Sequence, residues 1–239
     1  MSEQQLERRS LEDLRSVLQE SRRQGVKLVI IGGYAVAAYT RGYRYTKDID
    51  LVADKPMLGK LKGLLKSLDY SVRDTEFGIA GAKRLDGGFI DLHISVGRIY
   101  DVSTGKQYPV DESLFKNANR LMVRGYTSKN TSLKAAVVDL ETLIVLKAMP
   151  VGREKDAVDL LSLLRDKRNE VDLRKLAQIA KDASLTAHLL DRIRDYASRL
   201  KEGELDKIWF NTTGTRLPYT EKLGIAKFFT NLADLFRKQ

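Results

Sequence analysis

Hydrophobic and polar positions in the first part of the chain follow two different periods. Residues 4–24 place leucines and valines three or four positions apart with charged residues between them, which predicts an amphipathic helix. The short β-branched run Lys27–Ile31 predicts a buried strand, and the alanine-rich Tyr34–Tyr39 predicts the first turns of a helix. Acidic and apolar residues alternate in Asp48–Ala53, which predicts a strand with two distinct faces.

More strands and one helix are predicted before the pattern changes near residue 139. The strand-like runs are Tyr70–Arg73, Gly78–Leu85, Phe89–Ser95, Arg120–Arg124 and Lys134–Asp139, and the amphipathic run is Lys55–Leu68. Residues 97–119 carry mixed turn signals and predict no single element. Beyond Asp139, a candidate N-cap, apolar residues recur at helical spacing. The predicted helices there are residues 139–149, Glu154–Asp166, Leu173–Lys181, Leu185–Lys201 and Glu221–Arg237.

This order of elements indicates the fold class. Strands mixed with helices come first and helices alone come later, which predicts an α+β fold. We expect a mixed β-sheet flanked by helices, followed by a helical C-terminal part. The corresponding domains are an α/β domain at residues 1–138 and a helical domain at residues 139–239.

Composition narrows the chemistry that this fold can carry. The 239 residues include no cysteine, which excludes disulfides, thiolate zinc sites, iron–sulfur clusters and a cysteine nucleophile. The two histidines, His93 and His188, are too far apart in sequence for a HExxH-type site. No apolar run approaches about 18 residues, and the N-terminal segment is polar with mixed charge. We therefore expect a cytoplasmic protein without a signal peptide or membrane span.

The net charge of the chain is +10 at pH 7, from 42 Lys and Arg against 32 Asp and Glu. The excess is spread along the sequence, with no polybasic tail. A diffuse positive field raises the local concentration of nucleotides and nucleic acids. It also keeps a protein soluble, and charge alone favours this simpler interpretation.

The pair Gly32-Gly33 lies between the predicted strand Lys27–Ile31 and the helix after it. Glycine permits a sharp turn, and it lets a phosphate approach main-chain N–H groups at the start of a helix. The alternative is a tight turn without a ligand. For an isolated glycine pair that alternative is the more common case.

Two carboxylates, Asp48 and Asp50, are placed side by side by the strand period. Residues i and i+2 of a strand point to the same face, with Cα atoms about 6.5–7 Å apart. Neighbouring carboxylates repel each other unless a cation lies between them, and Mg²⁺ commonly takes one or two carboxylates plus substrate phosphates. The alternative is an exposed acidic strand face, but apolar Leu51-Val52 follows directly.

A third acid, Asp91, interrupts an otherwise apolar strand. A buried carboxylate without a partner is costly, so a neighbouring strand should supply one. A metal shared with Asp48 and Asp50 would serve, and so would a salt bridge to Arg or Lys; the residues support both equally. His93 shares the face of Asp91, and a packed strand histidine is favoured over a group that supports a metal site.

The features together resemble a known family. The order of strand, Gly32-Gly33, the motif Arg44-x-Thr46-x-Asp48-Ile49-Asp50-Leu51 and then Asp91 resembles the nucleotidyltransferase superfamily that includes DNA polymerase β. The similarity is greatest to the minimal and AbiEii-like nucleotidyltransferases of bacteria and archaea. The stretch GGYAVAAYTRGYRYTKDIDLVAD matches their pattern nearly throughout. The resemblance covers roughly the first two thirds of the chain and implies a nucleotidyltransferase-type mixed sheet.

The resemblance also implies an activity. A nucleoside monophosphate would be transferred from an NTP, such as ATP, to an acceptor hydroxyl in a Mg²⁺-dependent reaction. In this interpretation Gly32 and Gly33 bind the β and γ phosphates. Asp48 and Asp50 hold Mg²⁺, and Asp91 completes a second metal position and helps to deprotonate the acceptor.

The resemblance continues into the helical part. Leu143–Lys147 and Arg153–Leu160 resemble the helical segment that follows the catalytic sheet in AbiEii-like members. Lys147 matches a lysine that faces the nucleotide there, and an exposed helix lysine is an equally supported alternative. Arg153 and Lys155 are further candidates for phosphate contacts. The nearby acids Asp156 and Asp159 are expected to pair with helix N-terminal groups or basic residues.

The sequence leaves the acceptor open between RNA, a protein side chain and a small molecule. The isoelectric point near 9.6 leans slightly toward RNA. Trp209-Phe210, beside a polar turn, either stacks on a base or, as the residues favour, anchors the last helix. A toxin-like enzyme with a cognate partner protein is implied by the resemblance. The alternative functions are a non-catalytic NTP-binding or partner-binding module on the same fold, and a structural RNA-binding protein.

Overall fold

The computed structural model of the chain describes residues 1–54, 57–128 and 130–238. Contacts divide these residues into two compact units. The first unit comprises Met1–Ala38, Tyr45–Tyr100 and Tyr108–Asp139. The second unit takes the chain from Leu140 onward and also two short segments, Tyr39–Arg44 and Asp101–Gln107. The domains 1–138 and 139–239 stay a prediction, because dense internal contacts do not show that a segment folds alone.

Four helices and nine strands are described before residue 139. The helices are α1 (Glu3–Arg23), α2 (Gly32–Tyr39), α3 (Leu58–Ser67) and α4 (Glu112–Lys116). The strands are β1 (Leu28–Ile30), β2 (Ile49–Ala53), β3 (Ser71–Thr75), β4 (Gly78–Leu85), β5 (Gly88–Val96), β6 (Arg98–Tyr100), β7 (Gln107–Pro109), β8 (Asn119–Arg124) and β9 (Ser132–Val137). The first two residues of the helix predicted over Lys55–Leu68 lie outside the described residues. Residues 97–119, for which no element was predicted, contain β6, β7 and α4.

The main sheet has seven strands in the order β3-β4-β5-β2-β1-β9-β8, and β6 pairs with β7 separately. In the main sheet β2 runs parallel to β5 and β1 runs parallel to β9, while its other pairs are antiparallel. The sheet is therefore mixed, and helices accompany it. The predicted α+β class with a mixed sheet and a helical C-terminal part is confirmed.

The two faces of the central strands differ sharply. Ile49 and Leu51 of β2 and Leu92 of β5 are completely buried on one face, where α1 and α3 pack against the sheet. Each such side chain contributes about 1.5–3 kcal/mol by burial. On the other face Asp50 of β2 and Asp91 of β5 are half-buried and His93 is exposed, while Val52 is buried. We call this second side of the sheet the acid face.

The helical unit is built around one completely buried helix. Its helices are α5 (Leu140–Ala148), α6 (Glu154–Lys167), α7 (Leu173–Asp182), α8 (Thr186–Lys201), α9 (Glu204–Thr213) and α10 (Tyr219–Arg237). Every residue of α5 is buried, including Lys147. In the described part of the chain, no helix is both long and apolar enough to span a membrane.

One helix of this unit was not predicted. The sequence around Trp209 was interpreted as aromatics beside a polar turn, whereas it forms α9, which ends at Gly214 with φ +69°. Only three of its residues, Leu205, Ile208 and Trp209, are buried. A stripe this short gives a weak periodic signal, so the helix depends on the neighbours it packs against. Trp209 is fully buried and lies 4.9 Å from the ring of Tyr43, centroid to centroid.

Candidate active site

Asp48 and Asp50 of the Asp48-Ile49-Asp50 (DID) motif lie on the same face of the sheet as Asp91. In the parallel pair of β2 and β5, Ile49 is opposite Leu92 and Asp50 is opposite His93. The same register places Asp48, which directly precedes β2, beside Asp91. Neighbouring strands are about 4.8 Å apart, and side chains of alternate residues share a face. Three carboxylates are therefore gathered on the acid face.

Asp50 lies against the glycine turn. Gly32 begins α2 directly after β1 and Ile31, and its φ is +68°, a left-handed conformation that favours glycine. A Cβ on Gly32 would overlap Oδ2 of Asp50, so the carboxylate needs the space that glycine leaves. Gly33 is the second residue of the helix and is buried. Main-chain N–H groups at the start of α2 thus lie close to the carboxylate of Asp50.

The three acids act together on His93. Its Nδ1 lies 3.7 Å from Oδ1 of Asp50, an ion-pair distance rather than a short hydrogen bond. The contact with Asp50 raises the pKa of His93, against burial, and the charges of Asp91 and Asp48 raise it further. The His93 side chain is 53% exposed because it lies on the acid face. The prediction of a packed strand histidine is therefore wrong.

The donor set suits a hard divalent cation that is shared with a substrate. Across residues 1–54, 57–128 and 130–238, no three His, Asp or Glu side chains come close enough to hold a metal ion by themselves. Mg²⁺, however, usually takes only one or two carboxylates and completes its shell with water and substrate phosphates. Asp48 and Asp50 provide oxygen ligands, and the Asp50 carboxylate lies directly against Gly32. These residues fit Mg²⁺ on the chemistry of their donors.

The helical unit contains a separate buried charge cluster. Nζ of Lys147 lies 2.8 Å from Oδ1 of Asp156 and 2.7 Å from Oδ2 of Asp159. Arg44 donates to both oxygens of Asp159, with distances of 2.6 and 2.7 Å. Two cations and two carboxylates therefore neutralise each other inside the unit. We call these four residues the buried ion cluster.

The pKa directions agree with this pairing. Burial alone would lower the pKa of Lys147, but the charges of Asp159 and Asp156 raise it above its usual value. Burial alone would raise the pKa of Asp159, but Lys147 and Arg44 lower it below its usual value. Both shifts favour the charged forms of Lys147 and Asp159. The prediction that Asp156 and Asp159 pair with basic residues agrees with these contacts.

The remaining predicted phosphate contacts also belong to the helical unit. Nη2 of Arg153 lies 3.6 Å from Oδ1 of Asp101, and the arginine side chain is 51% exposed. Lys155 is exposed on the first turn of α6. Gly32, Gly33 and the three acids belong to the first unit, whereas Lys147, Arg153 and Lys155 belong to the second.

Two sets of contacts in the helical unit were not predicted. Arg44 belongs to the predicted motif, but no partner was predicted for it, and its pair with Asp159 joins residues 115 positions apart. Asp101 is buried and accepts hydrogen bonds from the hydroxyls of Ser103 and Thr104. The local Asp-x-Ser-Thr spacing is a turn signal that could have identified Asp101. No local pattern could have identified the partner of Arg44.

Comparison with solved structures gives likenesses of low sequence identity. The antibiotic-resistance factor ANT(2'')-Ia in solution has a TM-score of 0.50 and 15% identity, over 76% of this chain and 97% of its own. ANT(2'')-Ia in complex with adenylyl-2''-tobramycin gives 0.48 and 15%, over 73% and 96%. The lincomycin-bound lincosamide antibiotic adenylyltransferase LnuA gives 0.43 and 18%, over 64% and 94%. The first of these likenesses supports a common fold.

Sequence comparison identifies the family. Among proteins with curated descriptions, none matches this sequence. The family model "Nucleotidyl transferase AbiEii toxin, Type IV TA system" matches residues 17–224. That span includes the glycine turn, the three acids and the buried ion cluster. The chain is a nucleotidyltransferase and belongs to the AbiEii toxin family of Type IV toxin–antitoxin systems.

Proposed function

We propose that this nucleotidyltransferase moves a nucleoside monophosphate from an NTP to a hydroxyl group of its acceptor in a Mg²⁺-dependent reaction. One observation carries the proposal: Asp48, Asp50 and Asp91 share the acid face, and Asp50 lies directly against Gly32. A carboxylate set beside a helix N-terminus combines oxygen ligands for a cation with N–H donors for a phosphate.

In this proposal the glycines bind phosphate and the acids bind metal. Gly32 and Gly33 bind the β and γ phosphates through main-chain N–H groups. Asp48 and Asp50 would hold Mg²⁺, and Asp91 would complete a second metal position. When bound, Mg²⁺ supplies positive charge to the phosphate oxygens.

The transfer is a single in-line displacement. The acceptor oxygen forms a bond to the α-phosphorus. The bond between that phosphorus and the oxygen that bridges to the β-phosphate breaks, and pyrophosphate leaves. Asp91 lies on the acid face beside Asp48 and receives the proton of the acceptor hydroxyl.

Three basic residues are proposed for the triphosphate. Arg153 and Lys155 have exposed side chains that can bond phosphate oxygens. Lys147 has two carboxylate partners at 2.7–2.8 Å. It would have to exchange one of those partners for a phosphate oxygen to reach the nucleotide.

Labelling with NTPs that carry ³²P at the α-phosphate tests the proposal. We expect transfer of label to a cell extract in the presence of Mg²⁺, and loss of at least about 99% of it in the double variant Asp48→Asn, Asp50→Asn, since carboxylates are the hard ligands that Mg²⁺ requires. Asp86→Asn is the matched control because Asp86 is exposed and lies in the turn between β4 and β5. Undiminished labelling by the double variant would reject these acids as the catalytic site.

The same assay identifies the acceptor and the partner. RNA, a protein and a small molecule are separated by treating the labelled product with ribonuclease or protease and by ultrafiltration. The basic isoelectric point of about 9.6 supports RNA as the first acceptor to test. The family is a toxin of Type IV toxin–antitoxin systems, which supports a cognate antitoxin as the partner of this chain.

A further inference from the structure

A cavity opens on the acid face on the side of Asp50 that is opposite the glycine turn. Its volume is about 210 Å³, and Asp91 and His93 form one wall. The floor includes Ala80 and Ala82 of β4, which are the register partners of His93 and Asp91. The methyl side chains of these alanines leave the space above the sheet open. We call this space the β4 cavity.

The opposite wall of the β4 cavity carries a cation. Arg73 on the edge strand β3 is opposite Ala80 and lines the cavity. Two strand spacings, about 10 Å, separate its Cα from that of His93. Within the described part of the chain, Arg73 has no hydrogen bond or ion pair to another side chain. The adjacent Asp74 points to the other face and pairs with Lys62.

The chemistry of the transfer indicates which substrate lies on the β5 side of Asp50. This step rests on the proposed function. With phosphates bound at Gly32 and Gly33, pyrophosphate leaves on the β1 side of Asp50. In an in-line displacement the attacking oxygen enters opposite the leaving group. The acceptor hydroxyl therefore arrives on the β5 side, where Asp91 and the β4 cavity lie.

Size and charge restrict that acceptor. Ligand pockets usually measure about 300–1,000 Å³, so a cavity of about 210 Å³ takes only a group of the size of one sugar. A guanidinium without a carboxylate partner offers two parallel N–H donors, which match a phosphate. Arg73, on the wall opposite Asp91, can therefore bind an anion that lies next to the reacting hydroxyl.

We propose that the β4 cavity is the acceptor subsite and that Arg73 binds a phosphate adjacent to the acceptor hydroxyl. The acceptor is then a sugar phosphate unit, either free or at the end of a nucleic acid strand. Arg73 is the specificity-determining residue of this subsite. The guanidinium of Arg73 disfavours a polycationic small molecule at this wall of the cavity.

Binding measured without NTP or metal tests the subsite separately from the proposed activity. Ribose 5-phosphate is titrated into the ¹⁵N-labelled protein, and we expect shifts at the Arg73 side chain and at the main-chain amides of residues 80–82. Arg73→Gln should weaken this binding by about tenfold, the loss of one charge-assisted bond. Neutral ribose should bind the unaltered protein about as weakly as ribose 5-phosphate binds the variant.

Arg84→Gln is the matched control. Arg84 is exposed on β4 and is opposite Phe89, so it shares the acid face but does not line the cavity. Both variants lower the net charge by one and leave the core intact. Equal binding by Arg73→Gln and Arg84→Gln overturns the subsite, and so does tighter binding of tobramycin than of ribose 5-phosphate.

Transfer assays then distinguish a phosphate in a nucleic acid strand from a free sugar phosphate. They also distinguish failure of the acceptor subsite from failure of the proposed catalytic site. With a short oligoribonucleotide that ends in a 3′-hydroxyl, Arg73→Gln should raise the acceptor KM about tenfold and leave the NTP KM unchanged if the phosphate belongs to a strand. With ribose 5-phosphate as acceptor, the same change indicates a free sugar phosphate. Loss of binding in Arg73→Gln, together with full labelling by the Asp48→Asn, Asp50→Asn variant, shows a phosphate site at Arg73 but rejects the catalytic proposal, and with it the assignment of this site to the acceptor.

Discussion

At the scale of single residues, Gly32 and Asp50 form a pair in which each restricts the other. The carboxylate lies against the Cα of the glycine, and the glycine adopts a φ of +68°. Any side chain at position 32 would therefore meet both a steric and a conformational cost. Glycine at position 32 therefore meets two separate requirements: space for the Asp50 carboxylate and a positive φ.

The substitution Gly32→Ala tests this pair. We expect it to lower the free energy of unfolding by more than about 1–2 kcal/mol, the cost of a left-handed conformation for an L-residue, because the new Cβ also displaces Asp50. Urea denaturation measures the loss. Gly63→Ala is the control: nothing lies within 4 Å of its Cβ position, and in the interior of α3 alanine should stabilise by about 0.5–1 kcal/mol. Equal stability of Gly32→Ala and the unaltered protein would contradict the close contact.

At the scale of elements, the buried ion cluster joins α5, α6 and the segment Tyr39–Arg44. Lys147 comes from α5, Asp159 from α6 and Arg44 from the segment that precedes the DID motif. Because Asp159 is hydrogen-bonded to both cations, its removal leaves positive charge buried without compensation. The cluster is therefore a point where three elements depend on one carboxylate.

Asp159→Asn should lower the free energy of unfolding by about 3–5 kcal/mol, the cost of breaking a buried ion pair from one side. Chemical denaturation at pH 7 measures this loss. Asp191→Asn is the control because the Asp191 side chain is 78% exposed, and we expect a change within about 0.5 kcal/mol. If the buried ion cluster contributed nothing to the free energy of unfolding, Asp159→Asn and Asp191→Asn would have the same stability.

The same cluster predicts a dependence on pH. The pKa of Asp159 is lowered in the folded protein, so its stabilisation is complete above the unfolded value of about 3.9 and is lost as pH falls through the lower folded value. The stability difference between the unaltered protein and Asp159→Asn should therefore stay constant from about pH 6 to 5 and shrink as pH is lowered below about 4. Denaturation curves across this range measure it. A difference that stays constant with pH would show that Asp159 has the same pKa in both states.

At the scale of the whole molecule, the chain contributes two short segments of its first part to the helical unit. The hydroxyl of Tyr43 donates to Oδ1 of Asp166 at 2.6 Å, and the main-chain N–H of Arg41 donates to Oδ2 at 2.9 Å. In the segment Asp101–Gln107, the Ser103 hydroxyl accepts from the N–H of Val151 at 3.0 Å. A cut at residue 138 therefore separates both segments from their partners.

Hydrogen exchange on a fragment of residues 1–138 tests the predicted domain boundary. We expect residues 39–44 and 101–107 to exchange much faster in the fragment than in the full chain, because Asp166, Asp159 and Val151 are absent. The amides of β2 and β5 in the full chain serve as the reference for core protection. Equal protection of both segments in the fragment would show that the contacts with the helical unit do not hold them.

The sequence alone determined the local features of this protein. The period of two in Asp48-Ile49-Asp50 sets both acids on one face, since a strand alternates its side chains whatever surrounds it. Helical spacing identified most of the helical part, and the motif identified the family. These features depend on neighbouring residues along the chain, so a single sequence carries them.

Only the tertiary structure decided which distant residues meet. The register of β2 on β5 brings Asp91 to Asp48, and the sheet order places Arg73 across the β4 cavity from His93. Folding also pairs Lys147 with two carboxylates rather than leaving it exposed. The α9 segment has only a weak helical pattern, and packing against neighbouring elements stabilises it as a helix. Strand register, packing and burial are properties of the assembled chain, and no spacing within the sequence specifies them.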